Sequence, residues 1–125
     1  MSGKRSPEQR HEADLRGRQG EAEAAMFLAH QGWRILAERV KTKRGEIDLV
    51  AKKAGIIAFI EVKWRARAAD LADAIDERRL TRVAAAVEIV WQDYAGQGED
   101  IRIDVILLAP GRKPTHIANA WMPFG

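Results

Sequence analysis

The first thirty residues of the chain carry the pattern of a long helix. Ser6 followed by Pro7 predicts an N-cap with proline in the first turn, and Gln9 completes a capping box with Ser6. Gly32 predicts the end of the helix. Between these positions apolar residues recur at helical spacing, namely Ala22, Ala25, Met26 and Ala29. The pattern therefore predicts an N-terminal helix that is firmest from Gly20 onward.

Residues 33–65 carry the pattern of three consecutive strands. We expect these strands near Trp33–Lys41, Glu46–Lys52 and Ile56–Arg65, the last of them largely apolar and β-branched. Turn residues separate them at 41–45 and 53–55. Because turns this short join neighbouring antiparallel strands, we expect a meander.

The remainder of the chain returns to a helical pattern and ends in strands. Apolar residues within 68–95 are spaced for one buried stripe, which consists of Leu71, Ile75, Leu80, Val83, Val87 and Val90. Ile101–Ala109 is a strong strand and His116–Ala118 a short one. The order α-β-β-β-α-β predicts that the whole chain is a single α/β (α+β) domain, a mixed sheet with helices on both faces. Residues 1–14 are interpreted as a flexible N-terminal extension of that domain.

Composition narrows the function classes by exclusion. The 125 residues contain no cysteine, which excludes disulfides, thiolate zinc sites and cysteine nucleophiles. No apolar run approaches the roughly 18 residues of a membrane span, and the charged N-terminus leads into no apolar segment of a secretory signal. We therefore expect a cytoplasmic protein with no membrane partner.

The charge is distributed unevenly, although its net value is only +3. Residues 39–67 carry nine basic and three acidic side chains, whereas residues 68–100 carry three basic and eight acidic ones. Arginines outnumber lysines by 14 to 7, and the planar guanidinium suits phosphate because it donates two parallel hydrogen bonds. The basic block points to nucleic acid or another polyanion, with an ordinary solvated surface as the alternative.

The hairpin between the second and third strands brings candidate chemistry together. If Ala54–Gly55 is a two-residue loop, Asp48 faces Glu61 across the hairpin. Carboxylates about 5 Å apart repel one another unless a cation lies between them, and hard oxygen ligands suit magnesium or manganese. Lys63 lies two residues beyond Glu61 and therefore points to the same face. A three-residue loop would shift this register.

These residues fall in the order of a known nuclease signature. The run Gly45-Glu46-Ile47-Asp48-Leu49, with twelve residues between Asp48 and the later Glu61-Val62-Lys63, resembles the PD-(D/E)xK motif, with Ile47 in place of its proline. Upstream, Gly20-Glu21 and Gly32-Trp33 resemble the helix of archaeal Holliday junction resolvases. From about residue 15 to residue 120 the chain is similar to the small bacterial YraN family. The resemblance implies a restriction-endonuclease-like core and a Mg²⁺-dependent endonuclease-like hydrolase.

The resemblance also assigns roles residue by residue. The metal ligands would be three carboxylates and one backbone carbonyl, with Mg²⁺ or Mn²⁺ as the ion, and they belong to Glu21, Asp48, Glu61 and Val62. Lys63 would be the catalytic lysine, which orients water and stabilises charge developing on the phosphate. Arg79 stands where many similar sequences have a lysine, and it keeps the capacity for a phosphate contact.

Basic residues near the motif are the candidate contacts to a substrate. We expect five of them to hold a nucleic-acid backbone, namely Lys43, Arg44, Arg65, Arg67 and Arg79. DNA is favoured over RNA, in branched or single-stranded form. Resolvases that this chain resembles act as two-fold dimers, so a homodimer is one arrangement left open.

Other polar and aromatic residues have simpler interpretations. Glu46 and Asp104 are interpreted as structural groups or as acids that support the site residues, Asp104 in an ion pair with Arg102, and His116 as a surface residue. Trp64 belongs to the core or its rim, with stacking on a base as the alternative. Three functions stay open: a metal-dependent nuclease, a nucleic-acid-binding module with little or no catalysis, and an interaction protein whose basic face meets an acidic partner. Converging acids favour the first, because a pure binder of nucleic acid gains nothing from them.

Overall fold

Two helices flank a five-stranded sheet in the computed structural model, which describes residues 6–73 and 75–121. In chain order the main elements are α1 (Pro7–His30), β1 (Arg34–Lys41), β2 (Glu46–Lys53), β3 (Ile56–Trp64), α2 (Glu77–Tyr94), β4 (Asp100–Leu108) and β5 (Thr115–Ile117). The strands lie in the order β1-β2-β3-β4-β5, and only β3 and β4 are parallel neighbours within this sheet. The predicted mixed sheet is confirmed.

Helix α1 begins where its capping residues place it. The Ser6 hydroxyl accepts a hydrogen bond from the Gln9 backbone N–H (3.1 Å), and Gln9 Oε1 accepts one from the Ser6 backbone N–H (2.8 Å). The predicted capping box is therefore present. Because α1 already begins at Pro7, residues 7–14 of the predicted N-terminal extension belong to this helix, while residues 1–5 lie outside the described residues.

The sheet separates two hydrophobic cores. On one face α1 contributes Ala24 and Leu28 to a core with the strand residues Leu49, Ala51, Ala58, Ile60, Ile106 and Leu108. On the other face α2 packs against Ile47, Val50, Ile57, Phe59, Ile103, Val105 and Leu107. Central strands covered on both faces carry nearly continuous apolar runs, as β3 does. Among the described residues, neither helix combines the length and the apolar character that crossing a membrane requires.

The segment after β3 differs from the continuous helix that its apolar spacing predicts. A short 3-10 helix spans Ala68–Asp73, and α2 begins at Glu77 with Asp76 as its N-cap. The Asp76 carboxylate accepts a hydrogen bond from a backbone N–H of the first turn, which starts a new helix there. Ile75, expected in the buried stripe, is 43% exposed, whereas Leu80, Val83 and Val87 are buried as predicted. The side chain of Leu71 lies outside the described part of the chain.

Candidate active site

The hairpin of β2 and β3 has the register that turns Asp48 toward Glu61. Paired residues continue without a shift as far as Leu49 and Ile60, and Asp48 and Glu61 are the residues that follow this last pair on their strands. The loop consists of Ala54–Gly55, whose φ angles are 49° and 79°. Two positive φ angles are typical of the type I′ turn that joins tightly paired strands. The predicted two-residue loop is therefore confirmed.

Regular strand structure is interrupted at Asp48. Beyond the last paired residues, Asp48 Oδ2 accepts a hydrogen bond from the Val62 backbone N–H (2.8 Å). Ile47 and Val50 pack in the same core, although residues three apart in a regular strand point to opposite faces. On β1, Arg39 lies opposite Asp48 when the register is continued, and its φ is positive at 51°. Irregularities of this kind redirect side chains and recur at functional sites.

Asp48 and Glu61 form a buried pair of carboxyl groups. Asp48 is 6% exposed and Glu61 is 2% exposed. Burial, followed by the charge of Glu61, raises the pKa of Asp48 from 3.8 to about 7, and a hydrogen bond between the two side chains adds to the rise. The Val62 N–H and the Arg79 guanidinium oppose it without cancelling it. Asp48 therefore holds its proton to a higher pH than an ordinary aspartate does.

Two basic side chains contact Glu61. Arg79 Nε donates a hydrogen bond to Glu61 Oε2 at 3.0 Å, and Lys63 Nζ lies 3.8 Å from Glu61 Oε1. The Lys63 side chain is 22% exposed, so it is only partly buried. Together with Asp76, these three residues line a narrow cleft between β3 and the first turns of α2. The structure thus places the lysine of the motif beside the carboxyl pair.

Glu21 approaches the same region from α1. The preceding residue, Gly20, lies so close to the sheet that a Cβ there would stand 3.9 Å from Val62 Cγ1. Arg39 Nε donates a hydrogen bond to Glu21 Oε2 at 2.8 Å. Burial raises the pKa of Glu21, and the negative charge of Asp48 adds to this rise, although Arg39 opposes both. Glu21 therefore interacts electrostatically with Asp48 while Arg39 binds its carboxylate.

Two of the three predicted carboxylate ligands, Asp48 and Glu61, form a pair, whereas the third, Glu21, has a different partner. The charge of Glu61 acts directly on Asp48, whereas Glu21 is bound to Arg39. Among the side chains that the structure describes, no three His, Cys, Asp or Glu groups form a cluster that could hold a metal ion. The roles of Glu21 as a third ligand and of the Val62 carbonyl as a fourth stay predictions.

The β1–β2 turn and α2 border a cavity that is open to solvent, called the basic cavity below. Its volume is about 320 Å³, and its walls are Lys41, Thr42, Lys43, Arg44, Gly45, Glu46, Arg79 and Arg82. Three of the five predicted nucleic-acid contacts therefore surround one cavity, which Arg79 links to Glu61. Sequence reasoning missed Lys41 and Arg82. A signal for Arg82 exists, because it stands three residues after Arg79 on the predicted helix and such neighbours share a face.

The other two predicted contacts follow the end of β3 and do not line the basic cavity. The Arg65 backbone N–H donates to the Leu108 carbonyl, and Arg65 Nη1 donates to the Trp64 carbonyl, both at 3.0 Å. Arg67 donates two hydrogen bonds of 3.1 and 3.2 Å to Asp70, and its side chain is 77% exposed. Trp64 packs against the α1 core, as predicted.

Asp104 ties the C-terminal segment to β4. Its fully buried carboxylate accepts hydrogen bonds of 3.0 and 2.9 Å from Arg102 and one of 2.8 Å from the Asn119 backbone N–H, and it lies 2.7 Å from His116 Nε2. Burial raises the pKa of Asp104, but the contacts with His116, Arg102 and Asn119 outweigh burial and lower it. The predicted ion pair is confirmed. The interpretation of His116 as a surface residue is wrong, because its ring contacts both Asp104 and the ring of Trp33.

The fold and the carboxyl pair define a small mixed α/β protein with a buried acidic site. Residues 20–108 match the family described as "Uncharacterised protein family UPF0102". The chain is 64% identical over 111 residues to a UPF0102 protein of Erythrobacter litoralis, a match that covers 89% of this chain and 96% of that protein. A UPF0102 protein of Sphingopyxis alaskensis is 53% identical over 111 residues, with the same coverage. A UPF0102 protein of Rhodopseudomonas palustris is 42% identical over 106 residues, or 84% of this chain and 82% of that protein. The chain therefore belongs to the UPF0102 family, which confirms the resemblance to YraN proteins, and the names of these relatives state no activity.

Proposed function

We propose that this protein hydrolyses phosphodiester bonds of nucleic acid, with DNA as the preferred substrate and a divalent cation as cofactor. The observation that supports the proposal best is the buried pair of Asp48 and Glu61 beside Lys63. Two carboxyl groups buried together destabilise the ionised state, as the raised pKa of Asp48 indicates. Acidic groups perturbed in this way are concentrated at functional sites, because catalysis needs them there.

The donor set suits a hard divalent cation such as Mg²⁺ or Mn²⁺. Asp48 and Glu61 would offer carboxylate oxygens to such an ion, and its charge would relieve the repulsion that raises the pKa of Asp48. Glu21 and the Val62 carbonyl would complete the ligand set when Glu21 is released from Arg39. A cation bound there lowers the pKa of water and neutralises charge on the scissile phosphate.

The side chains around the pair divide the remaining tasks. The Lys63 ammonium, 3.8 Å from Glu61, stabilises negative charge that develops on a phosphate oxygen during hydrolysis. Arg79 binds Glu61 and also lines the basic cavity. The planar guanidinium that binds a carboxylate can bind a phosphate group in the same way. Arg65 and Arg67 supply positive charge after the end of β3, where a flanking strand of nucleic acid would pass.

A nucleic-acid-binding module without turnover is the second candidate, and a separate observation favours it. Arg79 and Arg39 already neutralise Glu61 and Glu21, and the described side chains form no three-ligand cluster. A protein of this kind would bind nucleic acid through its basic side chains and would not need a cation. The two candidates predict similar binding and differ in cleavage.

A cleavage assay separates the two candidates. Its substrates are linear, flapped and four-way DNA, together with RNA of the same sequence, each incubated with Mg²⁺, Mn²⁺ or chelator. The wild type should cut at least one DNA substrate with a metal and none in chelator, and paired symmetric cuts in the four-way junction would agree with a homodimer.

Two variants give this assay its controls. Asp48→Ala should abolish cleavage, whereas Glu38→Ala should cleave like the wild type because Glu38 is an exposed acid on β1. Cleavage by Asp48→Ala at the wild-type rate would refute the proposed site. Absence of cleavage by the wild type on every substrate with either metal would leave the binding module as the function.

A further inference from the structure

The basic cavity concentrates positive charge that is only partly neutralised. Five of its eight wall residues are basic, against a single acid, Glu46. Arg44 contacts Glu88 at 3.4 Å, but these side chains are 61% and 74% exposed, so solvent screens the pair. Among the side chains that the structure describes, no acid forms an ion pair with three further wall residues, namely Lys41, Lys43 and Arg82. The cavity therefore favours an anionic ligand.

The turn that forms one wall of the cavity is held in place by its own hydrogen bonds. Thr42 Oγ1 donates to the Gly45 carbonyl at 2.7 Å and accepts from the backbone N–H groups of Arg44 and Gly45 at 3.2 and 3.0 Å. Gly45 lies directly against α2, where a Cβ would stand 2.5 Å from the Arg82 carbonyl oxygen. Only glycine permits this approach. The β1–β2 turn and α2 are therefore fixed against one another. Binding of a ligand orders little additional backbone, which keeps the entropic cost of binding low.

The walls of the cavity select for phosphate rather than for a base. A volume of about 320 Å³ lies at the lower end of the roughly 300–1,000 Å³ found for small-molecule sites. None of the eight wall residues is aromatic, so the cavity offers no ring on which a nucleobase could stack. Lysine and arginine side chains instead supply the charge-assisted hydrogen bonds that phosphate oxygens accept.

Arg79 connects this cavity to the carboxyl pair, because it donates to Glu61 at 3.0 Å and also forms part of the cavity wall. A phosphate group bound in the basic cavity would lie beside the Asp48–Glu61 pair and not between its two carboxyl groups. We propose that the basic cavity is a subsite for a phosphate group of the nucleic acid other than the one that is hydrolysed. The proposal rests on the proposed function for the identity of the ligand. That phosphate is either a terminal monoester or an internal diester of the bound strand, and both offer the same anionic oxygens.

Fluorescence anisotropy in chelator tests the proposal without any turnover. The probes are short single-stranded DNAs that carry a 3′ dye and either a 5′-phosphate or a 5′-hydroxyl. Arg82→Ala should weaken binding about tenfold, as loss of one charge-assisted hydrogen bond does, and should flatten the slope of log K against log salt by about 0.7. Lys41→Ala tests the opposite wall in the same way. The matched control is Arg34→Ala, since Arg34 is an exposed arginine at the end of β1 distant from the β1–β2 turn.

The outcomes distinguish a terminal phosphate monoester from an internal diester. They also distinguish failure of the phosphate subsite from failure of the proposed nuclease function. A preference for the 5′-phosphate that Arg82→Ala removes would identify a terminal monoester, whereas an equal loss with both probes would identify an internal diester. The subsite would be overturned if Arg82→Ala and Lys41→Ala had the same affinity, and the same slope of log K against log salt, as Arg34→Ala. Cleavage by the wild type together with such unchanged slopes would refute the subsite alone. Loss of binding in these variants, with no cleavage by the wild type, would refute the nuclease function and support the subsite.

Discussion

Burial of the Asp48–Glu61 pair has a consequence for stability that can be worked out from the structure. The pKa of Asp48 rises from 3.8 to about 7 on folding. Because one pH unit corresponds to about 1.4 kcal/mol, full ionisation of this carboxyl group destabilises the fold by about 4 kcal/mol. Between about pH 4 and pH 7 the folded state binds more protons than the unfolded state, so the free energy of unfolding falls as the pH rises through this window.

Replacement of Asp48 by asparagine removes the titration and preserves the shape of the side chain. The amide oxygen can accept from the Val62 N–H, and the amide nitrogen can donate to Glu61. At pH 8 in chelator we expect Asp48→Asn to be more stable than the wild type by about 2–4 kcal/mol. At about pH 4 the difference should nearly vanish, because the wild-type carboxyl group is then protonated in the folded state.

Thermal and urea unfolding at about pH 4 and pH 8, followed by circular dichroism, measure this difference. For a chain of this length, each kcal/mol of added stability raises the midpoint of thermal unfolding by about 3–5 °C. The midpoint of Asp48→Asn at pH 8 should therefore rise by roughly 10 °C. Glu38→Gln is the control, and as an exposed substitution it should stay within about 0.5 kcal/mol of the wild type at both pH values. A lower stability of Asp48→Asn at pH 8, or a wild type whose stability does not fall between the two pH values, would refute the reasoning.

The remaining predictions concern the cation, the motif lysine, the arginines after β3 and Asp104. Mg²⁺ at 100 times its Kd should stabilise the wild type at pH 8 by about 2.7 kcal/mol in a thermal shift assay, and Asp48→Asn by much less; equal shifts would place the ion elsewhere. Lys63→Met should slow cleavage at least about 10²-fold while weakening DNA binding only slightly, and equal losses in both measurements would make Lys63 a binding residue. Alanine at Arg65 and Arg67 should flatten the slope of log K against log salt for duplex DNA by up to about two units, and an unchanged slope would mean that neither contacts phosphate. Asp104→Asn should lower the free energy of unfolding at pH 7 by about 3 kcal/mol because it breaks a buried ion pair. Since the folded-state pKa of Asp104 is lowered, its stabilisation is present above the ordinary pKa and is lost in acid, so chemical denaturation near pH 3 should show a smaller difference.

Features that depend on neighbours along the chain could be predicted from the sequence. The capping box at Ser6 needs only residues three apart, and it is present at the start of α1. The register of β2 and β3 follows from a two-residue loop, because each residue outward from Ala54–Gly55 has one partner across the hairpin as far as Leu49 and Ile60. The approach of Asp48 to Glu61 was therefore predictable, and the position of Lys63 on the same face follows from the period of a strand.

Features that depend on residues distant in the chain were decided by the tertiary structure. Arg39 binds Glu21 across 18 positions, and Arg79 binds Glu61 across another 18, so neither carboxylate has the surroundings that the motif alone predicts. The basic cavity exists because Gly45 lies against α2, a contact that no local pattern indicates. Local sequence determines which backbone conformations are favourable, whereas packing of the helices on the sheet determines which charges meet at the site.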